Sequence, residues 1–243
     1  MSHAEVRSRV CRRLGKEVCD EGPRPLCFGV MDRWGVHAEC CMGGGDKTEI
    51  HHCVRNRLYR QSRFANFGPQ LEKGVDRVLG LDSDGRENDR GRERPADVLL
   101  VRARDLHTGV QGRVEGRVAL DVGIVCPQSA SHRAIAAREN LGAAEAYVRH
   151  KCSRNDMEAK CRAAGVVFQP MIFESLGGVS IEAKGVIKSI NNAVAENVDS
   201  PVSEIAQQFW WGVSVDIQKA QHKALAKRTL GLGVWGSSLG IGA

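Results

Sequence analysis

Two aspartates, each inside a short apolar segment, are the residues of this sequence that point most clearly to chemistry. Asp97 lies in ADVLLV (96–101) and Asp121 in VALDVGIV (118–125). Burying a carboxylate is costly unless it is paired or bound to a cation. Neighbouring strands would place both carboxylates on one divalent ion such as Mg²⁺, which prefers oxygen ligands and would stabilise charge on a phosphodiester. The alternative is that each Asp caps a turn or pairs with Arg94 or Arg117.

Two further side chains would complete such a centre. Lys151 lies on a predicted helix after the second Asp segment, from which its ammonium group would reach the scissile phosphate or polarise the attacking water. Glu72 follows the first predicted helix and would add a carboxylate. The alternative for both is a solvated side chain, the usual state of Lys and Glu.

A second group of chemically competent residues is rich in cysteine and histidine. Cys27, His37 and Cys41 are separated by nine and three residues within a Gly-rich stretch. Zinc takes four Cys or His ligands in tetrahedral geometry, and a module with few apolar groups needs such a metal to fold. The sequence therefore predicts a zinc-knuckle-like module over residues 1–47. The alternative is a decayed knuckle that binds no zinc.

The elements that would position these residues follow from hydrophobic periodicity. The pattern predicts an α/β (α+β) fold in which helices flank a mixed sheet, with the main domain over 48–230 and a flexible Gly-rich tail over 231–243. The predicted helices are Thr48–Phe67, Ser131–Ala164 with a break near Ser153, Ile181–Glu196 and Pro201–Thr229; the predicted strands are Val75–Leu81, Ala96–Val101, Val118–Val125 and Val166–Phe173, with a charged loop over Asp82–Arg94.

Composition narrows the class of protein. The 243 residues are 42% hydrophobic and 26% charged, which suits a folded chain with a core. No apolar run approaches the ~20 residues of a membrane helix, and the first residues do not form a signal peptide. We therefore expect an intracellular protein without a membrane partner, whose nine cysteines are thiols or metal ligands. The net charge of +6 permits a nucleic-acid partner.

The helix after the cysteine-rich stretch carries arginines that would contact nucleic acid. Arg60 and Arg63 share one face, which Asn56 joins at a spacing of four residues, and Arg55 lies earlier on the same helix but not on that face. Such a helix would bind phosphates and set register without reading bases, although a solvated surface is the alternative. Phe209, Trp210 and Trp211 are interpreted as core residues.

The order of these motifs resembles the PD-(D/E)XK, restriction-endonuclease-like nucleases. It is most similar to the C-terminal endonuclease region, with its zinc knuckle, of site-specific non-LTR retrotransposon proteins. The resemblance covers most of the chain, and its motifs are Arg7–Leu14, Asp32–Asp46, Arg94–Asp97, Ala119–Val125, Lys151 and Trp211–Arg228.

The resemblance implies a restriction-endonuclease-like fold in which Asp97 and Asp121 hold Mg²⁺ or Mn²⁺ and Glu72 completes the site. The usual lysine two residues after the second Asp is replaced by Gly123, so Lys151 on the following helix is the candidate. The implied activity is the nicking of DNA in the nucleus. The reverse transcriptase domain of the same element would use the freed 3′ end as a primer and copy element RNA. The alternative is a catalytically dead remnant that binds nucleic acid.

The resemblance also bears on the structural zinc site. His37 and Cys41 match the family's Gly-X-His-Ala-X-X-Cys segment. In the family, a further Cys lies two or three residues before the position that corresponds to Cys27. This chain has no cysteine at those positions. The fourth ligand is therefore expected to be Cys19, or His51 as a substitute from the helix.

Overall fold

The structure is a computed structural model, and it describes residues 2–23, 27, 29–41, 45–73, 96–108 and 112–229. The predicted strand Val75–Leu81, the charged loop Asp82–Arg94 and the tail 231–243 lie outside the described residues. Within those ranges the elements are α1 (His3–Arg13), β1 (Gly22–Pro23), β2 (Val30–Met31), α2 (Val36–Cys40), α3 (Asp46–Phe64), β3 (Pro69–Lys73), β4 (Ala96–Thr108), β5 (Gly112–Val125), α4 (Arg133–Ala136), α5 (Gly142–Ser153), a 3₁₀ turn (Arg154–Asp156), α6 (Met157–Ala163), β6 (Val167–Glu174), α7 (Ile181–Val198) and α8 (Val202–Thr229).

A four-stranded mixed sheet flanked by helices forms the centre of the fold, as the hydrophobic pattern predicts. Its strand order is β3-β4-β5-β6. The β3–β4 and β4–β5 pairs are antiparallel, and β6 runs parallel to β5. Pro170 lies in β6, at the edge of the sheet, which is where a proline within a strand is tolerated.

Helices cover both faces of the sheet. Val98 and Leu120 belong to a core formed with α3, α7 and α8. Leu99 and Ala119 point the other way, towards α6, because successive side chains of a strand alternate between faces. A charged residue within these strands is therefore surrounded by protein and needs a partner.

The helix predicted over Thr48–Phe67 is confirmed as α3, with slightly shifted ends. Its buried side chains include Ile50, Val54 and Leu58, a four-residue spacing that directs one face to the core. The helix ends before Gly68, whose φ of +59° suits a residue without a Cβ. The helices predicted over Ile181–Glu196 and Pro201–Thr229 are confirmed as α7 and α8.

Three expectations are corrected. The single helix predicted over Ser131–Ala164 is broken into α4, α5 and α6; a break falls near Ser153 as predicted, at the 3₁₀ turn, and another falls before Leu141, whose φ is +59°. Glu72, which follows the predicted helix as expected, lies in β3, a strand that the pattern does not predict. Trp211 is 71% exposed, although Phe209 beside it is buried.

The N-terminal elements pack against the end of α8. Val18, Cys19, Met31 and Ala38 surround the side chain of Leu225. All nine cysteines are free thiols. None of the helices in the described ranges combines the length and the apolar character needed to cross a membrane.

Candidate active site and metal centre

Asp97 and Asp121 face each other across β4 and β5. The antiparallel ladder pairs Val98 with Leu120, so the two aspartates are the next pair in the same register. Residues directly opposite in an antiparallel pair point to the same face. The side chains are only 17% and 13% exposed, and the Asp97 charge acts on Asp121. The structure thus brings the two predicted carboxylates together at the end of the β4–β5 ladder.

Asp97 is held by donors from two elements. Its Oδ2 lies 3.0 Å from Nε2 of His51 on α3 and accepts a 2.8 Å hydrogen bond from the backbone N–H of Val122. Burial by itself would raise the pKa of Asp97, but the hydrogen bonds and the charge of Lys151 outweigh it and lower that pKa. As the pH rises, Asp97 therefore loses its proton before Asp121 does.

Asp121 is paired with the predicted lysine. Nζ of Lys151 lies 2.9 Å from each carboxylate oxygen. Burial nevertheless raises the pKa of Asp121 to about 6, and the charge of Asp97 adds to that rise while Lys151 opposes it. The acid pair therefore carries two negative charges above about pH 6 and one below it.

The space beside Asp121 explains why the lysine comes from a helix. A Cβ at Gly123 would lie 2.8 Å from Cε1 of Tyr147 and 2.7 Å from Cδ1 of Ile172. Tyr147 thus occupies the volume of a side chain at position 123. Lys151 is one turn later on the same helix, with Nζ 5.8 Å from the Tyr147 ring centroid. The cation beside Asp121 therefore comes from α5, because position 123 of β5 lacks space for a side chain.

Glu72 and Arg55 form an ion pair at the edge of this centre. Leu71 pairs with Val98 and Lys73 with Ala96, which places Glu72 on the strand next to Asp97. Arg55 donates to Glu72 and also to Asn56 Oδ1, and its side chain is only 9% exposed. Arg55 was expected to contact nucleic acid; the structure instead buries it against Glu72. Arg60 and Arg63 are exposed.

Three of the predicted zinc ligands converge. The ligand atoms of Cys27, His37 and Cys41 all lie within 4.8 Å of one another, and Cys27 Sγ is 3.3 Å from His37 Nε2. Within the described part of the chain, this group of ligand atoms does not include either of the two expected fourth ligands. Cys19 is buried in the cluster under α8 and its thiol lies 3.4 Å from the Asp32 carbonyl oxygen, whereas His51 contacts Asp97. The cluster therefore supplies three of the four ligands of a tetrahedral zinc.

The chain around His37 is shaped by Asp32 and Gly29. The Asp32 carboxylate accepts hydrogen bonds from the backbone N–H groups of Trp34, Val36 and His37, which satisfies the start of the short helix α2. A Cβ on Gly29 would lie 2.5 Å from Cε1 of His37. Only glycine therefore allows the loop to approach the imidazole this closely.

Residue spacing did not reveal the contacts that complete both centres. The spacing predicts His51 only as a zinc ligand and predicts no role for Tyr147, and Arg228 acts on Cys41 from the far end of the chain. Each contact joins segments distant in sequence, for which local patterns carry no signal. Comparisons with protein families, with curated proteins and with solved structures gave no match to this chain.

The cluster predicts a measurable metal content. We expect purified protein to hold about one zinc per chain, and we expect His37→Ala to lose it, because two thiolates without the imidazole bind zinc much more weakly. Elemental analysis measures the metal, and the thermal midpoint with and without a chelator measures its effect on folding. His3→Ala, on the exposed start of α1, is the matched control. Protein that folds normally and holds no zinc would contradict the assignment.

Proposed function

We propose that this protein is a divalent-metal-dependent DNA endonuclease that nicks its target. The observation that carries the proposal is the Asp97–Asp121 pair, placed in register on adjacent strands with Lys151 bonded to Asp121. Paired carboxylates and a nearby ammonium group are the side chains that metal-assisted phosphodiester hydrolysis requires.

The donor set suits Mg²⁺ or Mn²⁺. Both carboxylates offer hard oxygen ligands, which these ions prefer, and one or two protein carboxylates are enough when water and substrate phosphate fill the remaining positions. Asp97 and Asp121 would hold the ion, with Glu72 on the neighbouring strand as a further carboxylate. A bound ion would supply charge stabilisation at the phosphate.

The side chains of this chain would position the reaction. In the proposed hydrolysis, water adds to phosphorus and the bond from phosphorus to the 3′ oxygen breaks, leaving a 5′-phosphate and a 3′-hydroxyl. Lys151 would stabilise the negative charge that develops on the phosphate oxygens, because Asp121 holds its ammonium group at the acid pair. His51 would keep the Asp97 carboxylate in its orientation, since it contacts Oδ2 of that residue.

The wider biological role follows from the resemblance. A restriction-endonuclease-like domain with a zinc knuckle would supply the freed 3′-hydroxyl to the reverse transcriptase domain of the same retroelement, which copies element RNA in the nucleus. The mixed sheet flanked by helices and the Cys27–His37–Cys41 cluster are compatible with that role.

A second function, nucleic-acid binding without cleavage, is favoured by one observation. Asp121 already forms an ion pair with Lys151, and Asp97 accepts a hydrogen bond from the Val122 N–H and contacts His51, so both carboxylates have partners without a divalent ion. The protein would then bind nucleic acid through the Cys27–His37–Cys41 cluster and the exposed Arg60 and Arg63.

A plasmid assay decides between the two functions. We expect wild-type protein with Mg²⁺ or Mn²⁺ to convert supercoiled plasmid to the open-circular form. Asp97→Ala should stop that conversion, because it removes one carboxylate of the proposed metal site. Gel electrophoresis of the plasmid forms measures the rate. Wild-type protein that binds DNA and leaves the plasmid supercoiled with both ions would support the binding module instead.

A further inference from the structure

A second surface of the molecule, away from the acid pair, is a broad cleft of about 1240 Å³. The end of α3, the start of β3, the second half of β4 and α7 form its walls. Neither Asp97 nor Asp121 lines it, and it contains four arginines and a lysine that the proposed chemistry does not use: Arg63, Arg102, Arg104, Arg113 and Lys188.

Two irregularities in β4 turn cationic side chains into this cleft. The register of β4 against β5 shifts between Leu100 and Ala103 and again between Ala103 and Leu106. These three residues are buried, and the residues between them include the exposed Arg102 and Arg104. A β-bulge adds a residue to one strand and re-aims side chains, and bulges are frequent beside functional sites.

The cleft carries an excess of positive charge. Its acidic residues are Asp105 and Glu196, and Asp105 pairs with Arg113 at 3.2 Å. Within the described part of the chain, Arg102, Arg104 and Lys188 have no ion-pair partner. An open surface with several unneutralised cations attracts a polyanion and releases its counterions on binding.

We infer that this cleft binds the phosphodiester backbone of duplex DNA and sets how the duplex lies relative to the acid pair. The inference rests on the proposed function for the identity of the nucleic acid. Arg102 and Arg104 lie on the same strand as Asp97, roughly 15–25 Å along it at about 3.3 Å per residue. That separation corresponds to about five to seven nucleotides of one DNA strand. Planar guanidinium groups bind phosphate in a bidentate manner, so the cleft would anchor the duplex several nucleotides from the nick.

The test removes three cations of the cleft at once. The cleft variant carries Arg102→Ser, Arg104→Ser and Lys188→Ser; the control variant carries Arg133→Ser, Arg138→Ser and Lys219→Ser, three exposed cations outside the cleft. Fluorescence anisotropy with a short labelled duplex measures binding between roughly 50 and 200 mM salt. We expect the cleft variant to bind on the order of 10–100-fold more weakly and to lower the slope of log K against log salt by about 2–3.

Three further readouts make the result decisive. The charge-preserving variant Arg102→Lys with Arg104→Lys should bind more tightly than the cleft variant and keep its salt dependence close to that of the wild type, and thermal midpoints should stay unchanged because the substituted side chains are exposed. In the nicking assay, KM should rise in the cleft variant while kcat is retained. Equal losses in the cleft and control variants, or no loss in the cleft variant, overturn the inference. Wild-type protein that shows cleft-dependent binding and no nicking supports the cleft and contradicts the proposed endonuclease.

Discussion

Asp121→Asn is expected to reduce metal-dependent nicking on the order of 10²–10³-fold or more. The amide keeps the shape of the side chain but removes the negative charge that would hold a divalent ion opposite Asp97 and that holds the Lys151 ammonium group at 2.9 Å. DNA affinity should change little, because phosphate binding depends mainly on Arg and Lys. The rate of supercoiled plasmid conversion and the anisotropy of a labelled duplex measure the two effects separately.

The matched control is Asp199→Asn. Asp199 is an exposed residue with a φ of 49° at the end of α7, a conformation that Asn adopts readily. Lys151→Ala should reduce nicking by a smaller factor, because it removes one cation and leaves both carboxylates. Nicking by Asp121→Asn at the wild-type rate would contradict the assignment of this pair.

Asp46→Ala is expected to lower the free energy of unfolding by about 3–5 kcal/mol. Asp46, at the start of α3, forms an ion pair with Arg228 near the end of α8, and the side chains are 2% and 0% exposed. Removing the carboxylate takes away the acidic partner of a buried guanidinium group, and this is far more costly than losing a surface pair. Urea unfolding followed by circular dichroism gives the free energy.

Two variants on the same helices test this interpretation. Glu49→Ala removes a carboxylate that pairs with Lys223 at the surface, with side chains 38% and 56% exposed, and should cost no more than about 1 kcal/mol. Combining Asp46→Leu with Arg228→Met removes both buried charges and should restore much of the stability. An Asp46→Ala protein as stable as the Glu49→Ala protein would show that the buried pair contributes little.

Most helices and strands of this chain were predictable from its sequence because their signals are local. The spacing of Ile50, Val54 and Leu58 defines a helix face without reference to the rest of the chain. The apolar run around Asp121 likewise defines a strand. Elements with weak local signals were missed: β3 is five residues long and begins with Pro69, and α1 has no buried residue.

The candidate site was predictable only in part. An acid within each of two apolar segments was sufficient to select Asp97 and Asp121, because such a residue needs a partner wherever the strands lie. The partners themselves depend on packing. His51 reaches Asp97 from α3. Arg55 and Arg60 are arginines of the same predicted helix, but Arg55 is buried in an ion pair with Glu72.

The sequence by itself determined the order of the main helices and strands, the two acidic strands and the three residues of the Cys–His cluster, since each of these follows from residue type and local spacing. Only the tertiary structure decided which cation meets which carboxylate, that Cys19 is buried against Leu225 of α8, and that bulges turn Arg102 and Arg104 outward. Those outcomes depend on strand register and on which helix packs against which face. Both are settled by contacts between distant segments, and the pattern within one segment does not encode them.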